Sequence, residues 1–331
     1  MRDFVVTLLG TGTPIPSPDR FGPSTLVEAG DQKLLIDAGR GAAIRLAQLG
    51  VPLGRIDALL LTHYHSDHTS GIPDVWLTGW LESHFGTRRS PFRVVGPPGA
   101  KELMSNLERA YAADIKIRIA DEKLTPAGIA VAVDEFDTDG LIYQRNGVRV
   151  IAFEVDHGDV IKPAYGYRIE YGDRAVVLSG DTRLNENVVR YATSADLLIH
   201  EVAIARPELM AEAYVQRIMA HHTTPRQAGS VFARSRPKLA VYTHLVFLAS
   251  REVPPATTAD VLAETRQSYE GPLQIGEDLM SFEIGKEISI NRLAPSGSTS
   301  RPSGDVRLES AKDPSGHRSS PVTKQFYEYK P

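Results

Sequence analysis

The sequence contains no cysteine in 331 residues. That absence excludes disulfide staples, thiol nucleophiles and thiolate metal sites together, so any metal must be held by histidine and carboxylate. No window approaches about 18 consecutive apolar residues, so a membrane-spanning helix is not expected. The opening residues Met1–Thr7 lack the apolar core and small-residue cleavage site of a secretory leader. The expected location is therefore cytoplasmic, or periplasmic only where a leader has been removed. An excess of positive charge is also missing. With 37 Lys and Arg against 41 Asp and Glu the net charge is −4, which weakens any reading that needs a broadly basic nucleic-acid surface. The chain does have 42% apolar residues, ample for a sizeable core in one large or two ordinary domains.

The composition breaks once, near residue 285. Residues 295–321 are dominated by Ser, Pro, Gly and scattered charges, a mixture that buries too little apolar surface to offset its chain entropy. Residues 1–289 are thus expected to form one domain and residues 290–331 a disordered tail, whose aromatic end Phe326–Tyr329 could dock on the body or a partner. Before the break, short apolar runs alternate with helical patterns. Phe4–Leu9, Ser24–Glu28, Lys33–Ile36, Ile56–Leu61, Ile129–Val133, Val148–Glu154, Gly166–Tyr171, Ala175–Leu178, Leu197–His200 and Leu239–Thr243 read as strands. Gly41–Leu49, Gly99–Ala113, Glu208–Ala220, Pro225–Ser235 and Thr257–Tyr269 carry helical periodicity. Strands and helices recur in both halves without strict alternation. That pattern predicts an α/β fold of two mixed sheets packed face to face with helices outside, an αββα sandwich.

The sharpest feature is Thr62-His63-Tyr64-His65-Ser66-Asp67-His68, directly after the apolar run Ile56–Leu61. His63 and His65 share a face on extended backbone. Asp67 and His68 aim differently, which lets them serve a second centre. Three histidines and an aspartate in six positions gain little from packing, and unpaired buried imidazoles cost free energy. Further candidates follow other strands: His157 after Val148–Glu154, Asp181 after Ala175–Leu178, and His244 at the end of Leu239–Thr243. Each alone reads as an ordinary polar residue after a strand; together they supply the missing ligands of a two-metal site.

These motifs resemble the metallo-β-lactamase superfamily of metal-dependent hydrolases and, within it, the ribonuclease Z and arylsulfatase-like branch. The resemblance covers residues 3 to about 285. It rests on Thr62–His68, on His157, Asp181 and His244 in the expected order, and on Leu8–Pro14, Leu198–Glu201 and His222–Thr224. It implies that His63, His65 and His157 hold one metal, that Asp67, His68 and His244 hold a second, and that Asp181 bridges them. Imidazole and carboxylate without thiolate suit two Zn²⁺, with Mn²⁺ or Fe²⁺ as alternatives. Asp67 is expected to orient or deprotonate the nucleophile, and His222 to stabilise charge on the scissile group or act as general acid. Glu201 and His200 are candidates to orient His222 or a ligand imidazole. The Gly10-Thr11-Gly12 turn is expected to pass close to the metals.

The substrate is read from two further features. Ribonuclease Z enzymes typically carry a long basic arm between the third-motif histidine and the bridging aspartate. Here only 23 residues separate His157 from Asp181, and they read as a single hairpin. The stretch Trp76–Phe92, with Trp76, Trp80, Phe85 and Phe92 near Arg88 and Arg89, could form an aromatic and cationic lip, or be ordinary core; His84 within it reads as surface or rim. The leading expectation is therefore an arylsulfatase-like hydrolase of small anionic esters. In it nucleic acid is disfavoured as a partner, a membrane plays no part, and a homodimer would match the branch. The alternatives are a phosphodiesterase or a ribonuclease Z-like tRNA 3′ endonuclease lacking the arm, then a lactonase or a non-catalytic binding module.

Overall fold

Residues two apart on a strand share a face, and the strands here use both faces. In Phe4–Gly10 (β1), Phe4, Val6 and Leu8 enter one apolar core while Leu9 enters another. The same parity separates Leu197 and Ile199 from Leu198 and Val202 in Leu197–Ile204. Strands apolar on both faces must be covered on both, and the computed structural model, which describes residues 3–293, shows how.

The first sheet takes β1, β2 (Ser24–Ala29), β3 (Gln32–Ile36), β4 (Ala58–Leu60), β5 (Phe92–Gly96) and β6 (Val131–Glu135). The second takes β7 (Gly140–Arg145), β8 (Val148–Glu154), β9 (Tyr165–Tyr171), β10 (Arg174–Leu178), β11 (Leu197–Ile204), β12 (Leu239–Phe247) and β13 (Leu273–Ile275). The chain then returns to the first sheet as β14 (Met280–Ile284) and β15 (Ile288–Arg292). The spatial orders are β15-β14-β1-β2-β3-β4-β5-β6 and β13-β12-β11-β10-β9-β8-β7. Phe4, Val6, Tyr167, Val176, Ile199 and Phe282 meet between the sheets. Helices α1 (Ala42–Gln48), α2 (Ser66–Thr69), α3 (Ile72–Trp80), α4 (Ala100–Ala110), α5 (Ala112–Asp121) and α6 (Pro126–Ile129) follow strands of the first sheet, and α1, α3 and α4 pack on its outer face. Helices α7 (Glu186–Ala192), α9 (Pro225–Ser235) and α10 (Thr258–Thr265) cover the second, with α8 (Ala213–Met219) beside them. This is the expected αββα sandwich.

Several details differ from the expectations. The pattern over 99–113 is two helices, broken at Tyr111, and that over 208–220 is a short 3-10 turn at Pro207–Leu209 followed by α8. Strand β15 pairs with β14 across the expected boundary at 289/290. Of the tail expected over 290–331, residues 290–292 belong to β15, and residues 294–331 lie outside the described residues. Trp76, Trp80 and Phe92 are fully buried in the core beneath the first sheet, and their indole N–H groups donate to Ile129 O and Thr125 O, each at 2.9 Å. Trp76 and Trp80 of the expected lip are therefore core, because α3 packs its apolar face inward, and Phe92 joins them from β5, while Phe85 is half-buried and Arg89 exposed.

Candidate metal centre

The expected ligands come from the ends of three strands and from within a fourth. The parallel strands β3 and β4 deliver Asp37 and Thr62–His68 to one end of the sandwich. His157 follows β8, and Asp181 follows β10 through Gly180. That glycine has φ +62°, and a Cβ there would lie 2.4 Å from Tyr165 O, so only glycine turns the chain at this point. His244 arrives differently from expectation. Strand β12 continues to Phe247, and in its parallel pairing Glu201 faces Thr243 while Val202 faces Leu245. His244 is thus the extra residue of a bulge, with φ +44°. A bulge re-aims the side chain it carries. The bulge is braced by Leu245 N–H donating to Thr11 O at 3.0 Å. This is what the Gly10–Gly12 loop does: its nearest neighbours are the backbone of Arg20–Gly22, where a Cβ on Gly10 would lie 1.9 Å from Gly22 O.

The side chains converge in two groups. His63 Nε2 and His157 Nε2 lie 3.0 and 3.3 Å from His65 Nδ1. Asp181 Oδ2 stands 3.9 Å from His63 Nε2 and 3.7 Å from His157 Nε2. The same oxygen is 3.3 Å from His68 Nε2 and 3.2 Å from His244 Nε2. Asp67 Oδ2 completes the second group, 3.3 Å from His244 Nε2 and 3.7 Å from His68 Nε2. One carboxylate oxygen therefore faces both groups. His222 is buried beside them, its ring stacked 5.6 Å from that of His244.

The donor set fits divalent metal. Nitrogen ligands at about 2.0–2.1 Å from a tetrahedral ion stand about 3.3 Å apart, close to the spacing of the three imidazoles. Asp67 Oδ1, His68 Nε2 and His244 Nδ1 are buried without hydrogen-bond partners among the described residues, a cost of about 1–3 kcal/mol each unless something else satisfies them. Burial holds His63 well below the ordinary histidine value and His157 down at about 4, which leaves both neutral, as ligands must be. Burial opposes charge on His68 too, but Asp181 and Asp37 prevail and raise it well above that value. Burial likewise pushes Asp181 up, yet His244 and His68 outweigh it and hold the carboxyl well below its usual range.

Neighbouring groups orient the ligands. Asp37, a residue the sequence reading passed over, places Oδ2 2.7 Å from His68 Nδ1 and accepts from Thr62 N at 2.8 Å. Its position directly after the apolar run Leu34–Ile36 is the one signal the sequence carries; its φ of +55° exists only in the fold. His157 Nδ1 lies 2.9 Å from His221 O. Glu201 Oε2 is 3.1 Å from His222 Nδ1, and Oε1 accepts from Thr223 N at 2.7 Å. His200 does not touch His222; its Nδ1 bonds Glu201 O at 2.7 Å and its ring abuts Phe232. His84 stacks on Phe85, away from the cluster.

This fold and this cluster define a class, metal-dependent hydrolases of the β-lactamase superfamily. Residues 32–245 match the model of the "Beta-lactamase superfamily domain", and the chain belongs to that superfamily and to its ribonuclease Z branch. It is 38% identical over 284 residues to "Ribonuclease Z" of Mycolicibacterium gilvum, covering 84% of this chain and 96% of that protein. Against "Ribonuclease Z" of Mycobacterium marinum it is 37% identical, covering 84% and 98%. Human tRNase Z, short form, shares the fold at a TM-score of 0.63 and 24% identity, over 85% of this chain and 98% of that one. No helix among the described residues is long and apolar enough to cross a membrane.

These relatives correct one expectation. Their name is that of a ribonuclease, whereas the sequence reading favoured a small anionic ester and disfavoured nucleic acid. That reading leaned on net charge and a missing arm, and the described chain between His157 and Asp181 is indeed a bare hairpin of β9 and β10. Net charge sums the whole surface and says little about one face of it. No finding supports the arylsulfatase assignment.

Proposed function

We propose that this protein is a ribonuclease Z-like endonuclease that cleaves a phosphodiester at the 3′ side of transfer RNA, with two Zn²⁺ held by His63, His65 and His157 and by Asp67, His68 and His244, and Asp181 between them. The observation that carries the reading is identity of 35–38% to ribonuclease Z relatives over nearly their whole length. Bound divalent ions lower the pKa of water and polarise phosphoryl oxygens, the chemistry a phosphodiester needs. The chain's own groups supply the rest. Asp67 Oδ1, free of hydrogen bonds, accepts the proton of the attacking water. Burial raises the Glu201 carboxyl well above its usual range and holds His222 at about 4, so protonated Glu201 Oε2 donates to Nδ1 of the neutral ring. The proton on Nε2 is left to donate to the charge that develops on the phosphate or leaving oxygen. Asp37, Thr62 and the His221 carbonyl fix ligand rings, so little reorganisation is needed at the moment of reaction.

The test is cleavage of a precursor transfer RNA with a 3′ extension by the zinc-loaded protein, run beside p-nitrophenyl sulfate and bis-p-nitrophenyl phosphate. The expected result is a single cut releasing the extension, abolished by Asp67→Ala. Turnover of the sulfate ester with intact RNA would refute the assignment.

A further inference from the structure

The parallel strands β3, β4, β5 and β6 all begin at the end of the first sheet opposite the metal cluster. Their starts help line a cavity of about 630 Å³. Asp57 and His63 stand at opposite ends of the β4 segment, which puts roughly 20 Å of extended chain between this cavity and the metal ligands. Five cationic side chains line it, Lys33, Arg55, Arg88, Arg93 and Arg145, against two carboxylates, Asp31 and Asp57.

The carboxylates are largely engaged elsewhere. Asp57 accepts from Lys33 N at 2.8 Å, and Asp31 accepts from the amides of Gln32 and Asn146. Lys33 pairs with Glu28 and Arg93 with Asp134. Arg55 and Arg145 are exposed, and neither makes an ion pair among the described residues.

Arg88 is the decisive member. It is only 4% exposed. Its Nε donates to Gly128 O at 3.0 Å and its Nη2 to Trp76 O, its Cζ lies 4.9 Å from the Phe92 ring centroid, and Nη1 is buried with no hydrogen-bond partner among the described residues. No carboxylate lies within ion-pair distance of it among the described residues, and burial alone pulls its guanidinium down to about 10. A buried cation without a counter-ion is costly, and an anion in the adjoining cavity would offset that cost. Guanidinium forks match phosphate oxygens in geometry and charge. No aromatic ring among the described residues lines the cavity, so none of them stacks a base there; the group recognised is the phosphate itself.

We propose that this cavity is a phosphate-binding site separate from the metal centre, taking a phosphate carried either by an RNA backbone or by a small phosphorylated molecule. The RNA source rests on the function proposed above; the small-molecule source does not.

The test is calorimetric titration of inorganic phosphate into the zinc-loaded protein, comparing wild type with Arg55→Glu/Arg145→Glu, two exposed positions whose reversal leaves the core intact. Wild type should show a site that the double variant weakens about tenfold or more, the loss expected for charge-assisted hydrogen bonds. A second arm measures binding of a hairpin RNA without a 3′ extension as a function of salt. If RNA backbone is the source, the double variant binds it more weakly and its logarithmic salt slope falls by about 2. If RNA binding is unchanged while phosphate binding falls, the source is a small phosphorylated molecule. Equal phosphate binding by both proteins overturns the proposal. Precursor cleavage by wild type, assayed separately, reports on the endonuclease reading, and the phosphate arm needs no RNA.

Discussion

Asp37→Asn is the most informative single change, because it turns one anionic acceptor oxygen into a neutral NH₂ donor and alters almost no volume. Asp37 Oδ1 accepts from Thr62 N at 2.8 Å, and Oδ2 accepts from Thr62 Oγ1 at 2.7 Å and lies 2.7 Å from His68 Nδ1. An asparagine amide must keep its oxygen on the Thr62 N–H, since turning it would set donor against donor. Its NH₂ then faces His68 Nδ1, which must accept. The ring proton moves to Nε2, the atom 3.3 Å from Asp181 Oδ2 and the one that has to ligate. Asparagine tolerates the φ of +55°, so the backbone has no reason to move. Groups that orient metal ligands in this way are worth about 10–100-fold in affinity, which is about 1.4–2.7 kcal/mol. The assay is zinc competition against a chromophoric chelator at neutral pH, with urea unfolding of the metal-free protein as the control for fold. The site of Asp67, His68 and His244 should weaken by that factor, and that of His63, His65 and His157 by less, through Thr62 Oγ1, which stands 3.0 Å from His63 Nδ1 and can turn. Two sites both within twofold of wild type would refute the tautomer argument; equal weakening of both would indicate general disruption.

Three other expectations are open to measurement. His222→Ala should lower kcat on precursor RNA by about 10²-fold or more while zinc content is unchanged, and retention of full turnover would remove His222 from the mechanism. His200 is fully buried and burial holds it at about 4, below its unfolded value near 6.5. The unfolded state therefore binds the extra proton first, and stability is lost as pH falls from about 6.5 towards 4. Between pH 7 and 5 that amounts to about 2 kcal/mol, so urea midpoints of His200→Gln should decline less steeply than wild type over this range; parallel curves would refute it. Trp80→Ala should cost about 3–5 kcal/mol of stability, as expected for a buried aromatic. A loss of RNA affinity without loss of stability would instead return Trp80 to the surface.

The metal motif was legible in the chain because its residue types contradict their setting. Histidines and an aspartate directly after the run Ile56–Leu61 have no packing reason to be there, and unpaired polar groups are rarely buried for nothing. The sandwich was legible for a related reason: strands apolar on both faces, interleaved with amphipathic helices, leave few ways to cover every face. Local periodicity served less well where tertiary contacts decide. The indoles of Trp76 and Trp80 look the same in sequence whether they line a rim or point into a core, and only the packing of α3 against the first sheet settles it. Asp37 gave almost no signal, since its role exists only once β3 and β4 lie side by side and bring it to Thr62 and His68.

What the sequence by itself determined, then, is the inventory of chemistry: imidazole and carboxylate candidates for metal ligation, no thiol, and strands apolar on both faces with amphipathic helices to cover them. What only the tertiary structure decided is aim. Asp181 Oδ2 faces both ligand groups because Gly180 turns the chain through a positive φ against Tyr165, and His244 reaches them because a bulge in β12, braced by Thr11 at the far end of the sequence order, lifts one side chain out of the strand's alternation. That the buried guanidinium of Arg88 has no carboxylate partner among the described residues is likewise invisible in a count of charges, because it depends on which residues the fold brings around it. Composition is a property of the list of residues, whereas distance and burial belong to the folded chain, and metal ligation and ion pairing depend on both.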